Sequence, residues 1–197
     1  MILPINENFI LSKDDQGITS FNIAATKSST EILRLLLHPL PNKNESLLRK
    51  ILPLSIRDMC RNTPLMLACG NNYASEDIRC LSKKKSVYVI SRNRYRMSLL
   101  HIAIFVNNIN RVIILLKECK ISTEICDNDY RKLLHYASQN ESFKIVEILL
   151  SNDARYNACD KYRATPLHYT AELSWPVVYA LVSKNSYNYC GMTDKER

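Results

Sequence analysis

Three histidines, His101, His135 and His168, stand 34 and 33 residues apart, and histidine is the side chain most often used as a general base or metal ligand. Acidic residues keep the same cadence at Asp14, Asp58, Asp127 and Asp160, with Asn93 filling the series. A His–Asp couple or paired carboxylates would be the material of acid–base catalysis. Seven cysteines add candidate nucleophiles and zinc ligands. None of these sets has the local spacing its chemistry needs. The cysteines show no C-x-x-C pair and no Cys–His run fits zinc. There is no G-x-x-x-x-G-K-[ST] and no G-x-G-x-x-G, and three glycines in 197 residues exclude a phosphate-cradling loop on composition. His38 stands alone beside Pro39. The reading is of a non-enzyme with no catalytic residue, no metal site and no cofactor.

The histidines are carried instead by a repeated unit, clearest between Asp127 and Asp160. Leu133, Leu134, Ala137 and Ser138 set one small-residue helical face, and Ile145, Val146, Ile148, Leu149 and Leu150 a broader one. Asn140-Glu141-Ser142 separates them as a turn, with Ser142 expected to cap the second helix. Asn152-Asp153-Ala154 ends that helix, because Asn and Asp tolerate a left-handed C-cap. Neither helix buries its apolar face alone, so the unit must stack. Leu134-His135-Tyr136-Ala137 returns as Leu167-His168-Tyr169-Thr170 and is preceded by Leu100-His101-Ile102-Ala103. Thr63-Pro64-Leu65-Met66-Leu67-Ala68 and Thr19-Ser20-Phe21-Asn22-Ile23-Ala24-Ala25 fill the same slot further upstream.

The period and the T-P-L-H-x-A signature, complete in Thr165-Pro166-Leu167-His168, resemble the ankyrin-repeat family over about residues 14–182. The resemblance implies an all-α solenoid of stacked helix-turn-helix units with hairpin loops. It also implies that the repeated His orders hairpins through hydrogen bonds within and between repeats. Repeats spaced roughly 10 Å apart keep the histidines from sharing a metal whose ligand bonds are about 2 Å. They likewise hold Cys126 and Cys159 beyond the ~7 Å reach of a disulfide. Asp14, Asp58, Asn93, Asp127 and Asp160 become hairpin formers.

Five repeats are expected, at about 14–57, 58–92, 93–126, 127–159 and 160–182, with a lead-in or cap at 1–13 and a tail at 183–197. The first repeat carries an insertion near 39–54: Leu37 to Asp58 spans 21 positions, where Leu150 to Asp160 spans 10. Asn44 would cap a short helix there, with Leu47, Leu48, Ile51 and Leu52 on one face. That face either folds back on the repeats or projects toward a partner. The second repeat's outer helix is weak at 77–81, Lys83-Lys84-Lys85 read as a solvated helix end, and 87–90 are strand-like. Pro176 suits the first turn of a last outer helix at Val177–Val182. That helix is not a polar cap, so either the tail covers it through Tyr187 and Tyr189 or it meets another chain, a dimer included.

The net charge of +8 suits acidic partners. The odd cysteine count without close pairs argues for a reducing, cytoplasmic setting, with the nucleus as a second compartment. Met1–Asn6 has no basic n-region or long apolar run, so no signal peptide is expected, and no run approaches the ~20 residues of a spanning helix. Low glycine, frequent Asn, Lys and Ile, and irregular repeats resemble the divergent ankyrin proteins of viruses and intracellular bacteria, which would make this a host-directed effector in host cytosol.

In the ankyrin family the hairpin tips and inner helices line a concave groove that binds proteins. Here Arg61, Arg96, Tyr130 and Arg163 replace the hairpin glycine, at a cost of roughly 1 kcal/mol each if φ stays positive. With Arg94, Arg131 and Lys161 they make a basic row interleaved with Tyr95, Tyr130 and Tyr162. Tyr136, Tyr169 and Phe105 stand behind it. Tyr and Arg are the types enriched at binding hot spots. The expected function is a protein–protein scaffold for an acidic or extended partner. The alternative is a nucleic-acid module whose basic tips contact phosphates while the tyrosines stack on bases.

Overall fold

The computed structural model describes residues 12–19, 22–23, 57–70, 90–170 and 174–189. Residues 1–11 of the expected lead-in at 1–13, the first outer helix at 32–37, the insertion at 39–54, the helix at 77–81, the lysine run 83–85 and residues 87–89 of the strand-like run at 87–90 lie outside these; Lys13 of the lead-in already pairs with Thr19 in the first hairpin. One turn recurs five times among the described residues. In each, an Asp or Asn side chain accepts backbone N–H groups two and four residues on, or four alone: Asp14 from Gln16 and Ile18, Asp58 from Asn62, Asn93 from Tyr95 and Met97. Asp127 does so for Asp129 and Arg131, and Asp160 for Tyr162 and Ala164, at 2.8–2.9 Å. The acid thus satisfies donors that a free loop would leave to water.

The fourth residue of each turn is left-handed: Gly17, Arg61, Arg96, Tyr130 and Arg163, with φ of 67, 60, 59, 59 and 65°. Isolated antiparallel bridges close three of the hairpins, Lys13–Thr19, Arg92–Ser98 and Cys126–Lys132. After them come short helices: α1 Pro64–Cys69, α2 Leu99–Phe105, α3 Ile109–Lys117, α4 Leu133–Gln139, α5 Phe143–Ser151, a 3-10 turn Pro166–Tyr169, and α6 Trp175–Tyr189. No strand longer than a single bridge occurs among the described residues.

The chain divides into two compact units, Met1–Ile102 and Ala103–Arg197. In the first, Thr63 caps α1 by accepting the Met66 N–H at 3.2 Å, and Pro64 sits in the first turn, where a missing N–H costs nothing. Two of its hairpins are tied side by side: the Arg94 N–H donates to the Cys60 carbonyl (2.7 Å), and Asn93 Nδ2 to Asn62 Oδ1 (2.9 Å). In the second unit α3 and α6 both pack on α5, while α4 packs on α5 and on the 3-10 turn. Val112, Leu115, Leu133, Leu134, Ala137, Ile145, Val146, Leu149 and Val177 are fully or almost fully buried. Each of the Val, Leu and Ile side chains among them contributes about 1.5–3 kcal/mol.

The structure corrects several expectations. Ser142 precedes α5 but makes no side-chain cap; its hydroxyl donates to Asn107 Oδ1 (2.7 Å) of the preceding turn. The fifth inner helix, despite the complete signature, is only a 3-10 turn, with Leu167 and His168 exposed. No further hairpin follows it among the described residues to take its hydrogen bonds. α6 continues to Tyr189, so Tyr187 and Tyr189, expected in the tail, lie within the helix. Arg111 is fully buried in α3, at the place held by Ile145 in α5 and Val177 in α6.

Candidate partner-binding surface

Each repeated histidine lies in the first turn after a hairpin, and its Nδ1 accepts the backbone N–H three residues earlier: Ser98 for His101, Lys132 for His135 and Thr165 for His168, at 2.9–3.2 Å. An accepting Nδ1 assigns the neutral proton to Nε2. From His135 that proton is donated to the Ala164 carbonyl at 3.1 Å, joining α4 to the next hairpin. Its ring meets Tyr169 edge to face at 5.3 Å. Burial holds the His135 pKa below the ordinary histidine value, against the opposing pull of the Ala164 carbonyl and Asp160. The imidazoles are thus occupied in capping and bridging. Among the described residues no three His, Cys, Asp or Glu side chains gather as metal ligands, and Cys126 and Cys159 are not joined by a disulfide.

The expected contact residues separate into two sets. Tyr136 is 5 % exposed and its hydroxyl donates to Asp127 Oδ2 at 2.6 Å; Tyr169 donates likewise to Asp160 Oδ2 at 2.6 Å. Burial and then these hydrogen bonds push both phenols up, Tyr169 to about 12. Burial alone would raise the two carboxyls, but the Tyr hydroxyls and backbone N–H groups hold them below the usual carboxylate range. Tyr136 is therefore part of the hairpin's foundation and not a surface anchor, because its hydroxyl satisfies the carboxylate that shapes the turn. Arg131 belongs with it: Nε lies 2.8 Å from Asp127 Oδ2, and the guanidinium lies over the Tyr136 ring at 4.9 Å. Lys161 is also engaged, with Nζ 2.6 Å from Asp129 Oδ1 and 4.7 Å from the centre of the Tyr162 ring.

The second set faces solvent. Tyr95, Tyr130, Tyr162 and Phe105 are exposed, Tyr162 by 71 %. Arg61, Arg94, Arg96 and Arg163 are exposed too. Within the first unit Arg61 stands on one hairpin and Arg94, Tyr95 and Arg96 on the next; within the second, Tyr130 stands on one and Tyr162 and Arg163 on the next. Phe105 ends α2, away from these turns in sequence. The sequence reading missed Asn140, whose Nδ2 donates to the carbonyls of Ile104 and Phe105 at 3.0 and 3.1 Å. Its signal was present: Asn at a helix C-cap has an amide that reaches carbonyls left over at a neighbouring helix end.

These features define a class: short helix pairs behind acid-anchored hairpins, with chemistry-bearing side chains consumed in holding the turns. Residues 100–190 match the family model described as ankyrin repeats, three copies, and this part of the chain belongs to the ankyrin-repeat family. Ankyrin repeats generally mediate protein–protein interaction. No curated protein matches the chain. Among the described residues no helix is long and apolar enough to cross a membrane.

Proposed function

We propose that the chain is a non-enzymatic scaffold of five repeats whose hairpin tips bind an acidic partner protein. The observation that carries the reading is the residue choice at the left-handed position. Arg61, Arg96, Tyr130 and Arg163 hold φ near +60°, where glycine would relieve roughly 1 kcal/mol each. Stability does not account for that choice, and strained residues at exposed tips are commonly functional. They present arginine and tyrosine, the types that dominate binding energetics. The net charge of +8 draws acidic surfaces by long-range steering. Contacts come from Arg61, Arg94, Tyr95, Arg96, Tyr130, Tyr162 and Arg163, with Phe105 at the margin; Arg131, Tyr136, Lys161 and Tyr169 support them from below.

The test is capture from a cytosolic lysate with and without nuclease, comparing the native chain with Arg96→Glu and with Arg163→Glu plus Tyr162→Ala. Loss of a nuclease-resistant protein partner in these variants supports the reading. Binding of unrelated oligonucleotides that falls steeply as salt rises would assign the tips to nucleic acid instead. Undiminished capture by both variants would remove the tips from the site.

A further inference from the structure

Consecutive hairpins of this chain are joined in one register. The N–H of the residue after the turn-forming Asp or Asn donates to a carbonyl of the preceding hairpin: Arg94 to Cys60 at 2.7 Å and Lys161 to Asp129 at 2.9 Å. In return, His135 Nε2 donates forward to the Ala164 carbonyl at 3.1 Å, which also takes the Asp160 N–H. Side chains follow the same register. A Cβ on left-handed Gly17 would lie 3.1 Å from Cγ of Met59, the residue after Asp58, so these two places face each other. On the fifth hairpin the corresponding groups are the Tyr162 carbonyl, His168 Nε2 and the Arg163 guanidinium, and none meets a hydrogen-bond or ion-pair partner among the described residues. Leu167 beside them is 41 % exposed, where Leu134 one repeat earlier is 1 %. The first hairpin carries the complement. The Asp15 N–H has no acceptor among the described residues, the Ile18 carbonyl takes the Asp14 N–H alone (2.9 Å), and the Asp15 side chain is exposed.

We propose that two copies of this chain associate head to tail, the first hairpin of one laid on the fifth hairpin of the other. In the register used inside the chain, the Asp15 N–H donates to the Tyr162 carbonyl and His168 Nε2 to the Ile18 carbonyl. The Asp15 carboxylate then stands against the Arg163 guanidinium. Within the first unit the same two places hold Arg61 and Arg94, so the ion pair is particular to the junction between copies. Charge favours this arrangement over a symmetric one. Residues 1–102 hold 15 Lys and Arg against 8 Asp and Glu, and residues 103–197 hold 12 against 11. Head-to-tail contact sets a basic unit against a nearly neutral one, whereas pairing two first units would set like charge on like. Each added copy brings another first or fifth hairpin, so the contact propagates. The inference does not rest on partner binding by the tips; Arg163 is the one side chain common to both.

Sedimentation of the full chain over a wide range of concentration is the test. The expected result is a mass that grows with concentration past two copies. Asp15→Arg and Arg163→Glu should each weaken association by at least about tenfold, because like charges then meet at the junction. The milder Asp15→Asn, which puts there the residue type of Asn128, should weaken it less. An equimolar mixture of the Asp15→Arg and Arg163→Glu chains should associate where neither does alone, since the first still has a native fifth hairpin and the second a native first hairpin. Asp15→Arg should keep the native unfolding midpoint and the capture of an acidic partner, which separates a failure here from a failure of the tips. A monomer at every concentration would overturn the proposal. So would growth that stops at a dimer, association undiminished by both reversals, or a mixture that stays monomeric.

Discussion

Lys161 is joined to Asp129 twice: its backbone N–H donates to the Asp129 carbonyl at 2.9 Å, and its Nζ lies 2.6 Å from Oδ1. The backbone half of this link recurs between Arg94 and Cys60 at 2.7 Å, so it belongs to the way consecutive hairpins are set side by side. Lys161→Glu would place two carboxylates where an ion pair now closes the link. The thermal midpoint should fall in Lys161→Glu and recover in Lys161→Glu combined with Asp129→Lys. Recovery of stability without any change in partner capture would confirm Lys161 as a supporting residue.

Tyr136→Phe tests the foundation of the fourth hairpin. Removing a buried hydroxyl bonded to a carboxylate should cost about 1.5–3 kcal/mol, read from urea unfolding, and Tyr169→Phe should cost less because Tyr169 is less buried. The Asp127 carboxyl is held low, so its contribution is complete above the unfolded carboxyl value near ~3.9 and is lost as pH falls through the folded value. Tyr136→Phe should therefore shallow the acid limb of the stability profile. An unchanged limb would separate the Tyr136 hydroxyl from Asp127.

His135 titrates with the same sign in a higher window. Its folded pKa lies below the unfolded value of about 6.5, so the unfolded chain binds the proton first. Stability is complete above about pH 6.5 and declines as pH drops from there toward the folded value. Unfolding midpoints at pH 7.5 and 5.5 should converge in His135→Gln relative to the native chain.

The left-handed tips invite the opposite experiment. Arg96→Gly and Arg163→Gly should raise stability by about 0.5–1 kcal/mol, as strain at φ near +60° is relieved. Partner capture should weaken at the same time. A glycine variant that gains stability and keeps full capture would leave the strained arginines without a functional account.

Much of the architecture is written locally. A side chain such as Asp127 or Asp160 forms its turn from atoms within four residues, and Thr63-Pro64 starts α1 from its own cap. Such features depend on short-range sterics and hydrogen bonds, so a periodic sequence displays them directly. The left-handed tips were legible for the same reason: the slot asks for glycine, and Arg61, Arg96, Tyr130 and Arg163 stand in it.

The sequence alone determined the period and the hairpin acids, because each follows from residue type and near spacing, while the part of the histidines was implied by the family resemblance. Only the tertiary structure decided which side chains remain available. Tyr136 and Tyr162 are the same residue type in neighbouring repeats, yet one is sealed against Asp127 and the other is exposed, since burial depends on contacts far apart in sequence. Arg111, a charged residue, is placed by packing in the buried slot that Ile145 holds in α5. Ser142 bonds to Asn107 35 residues away, a distance no local pattern encodes.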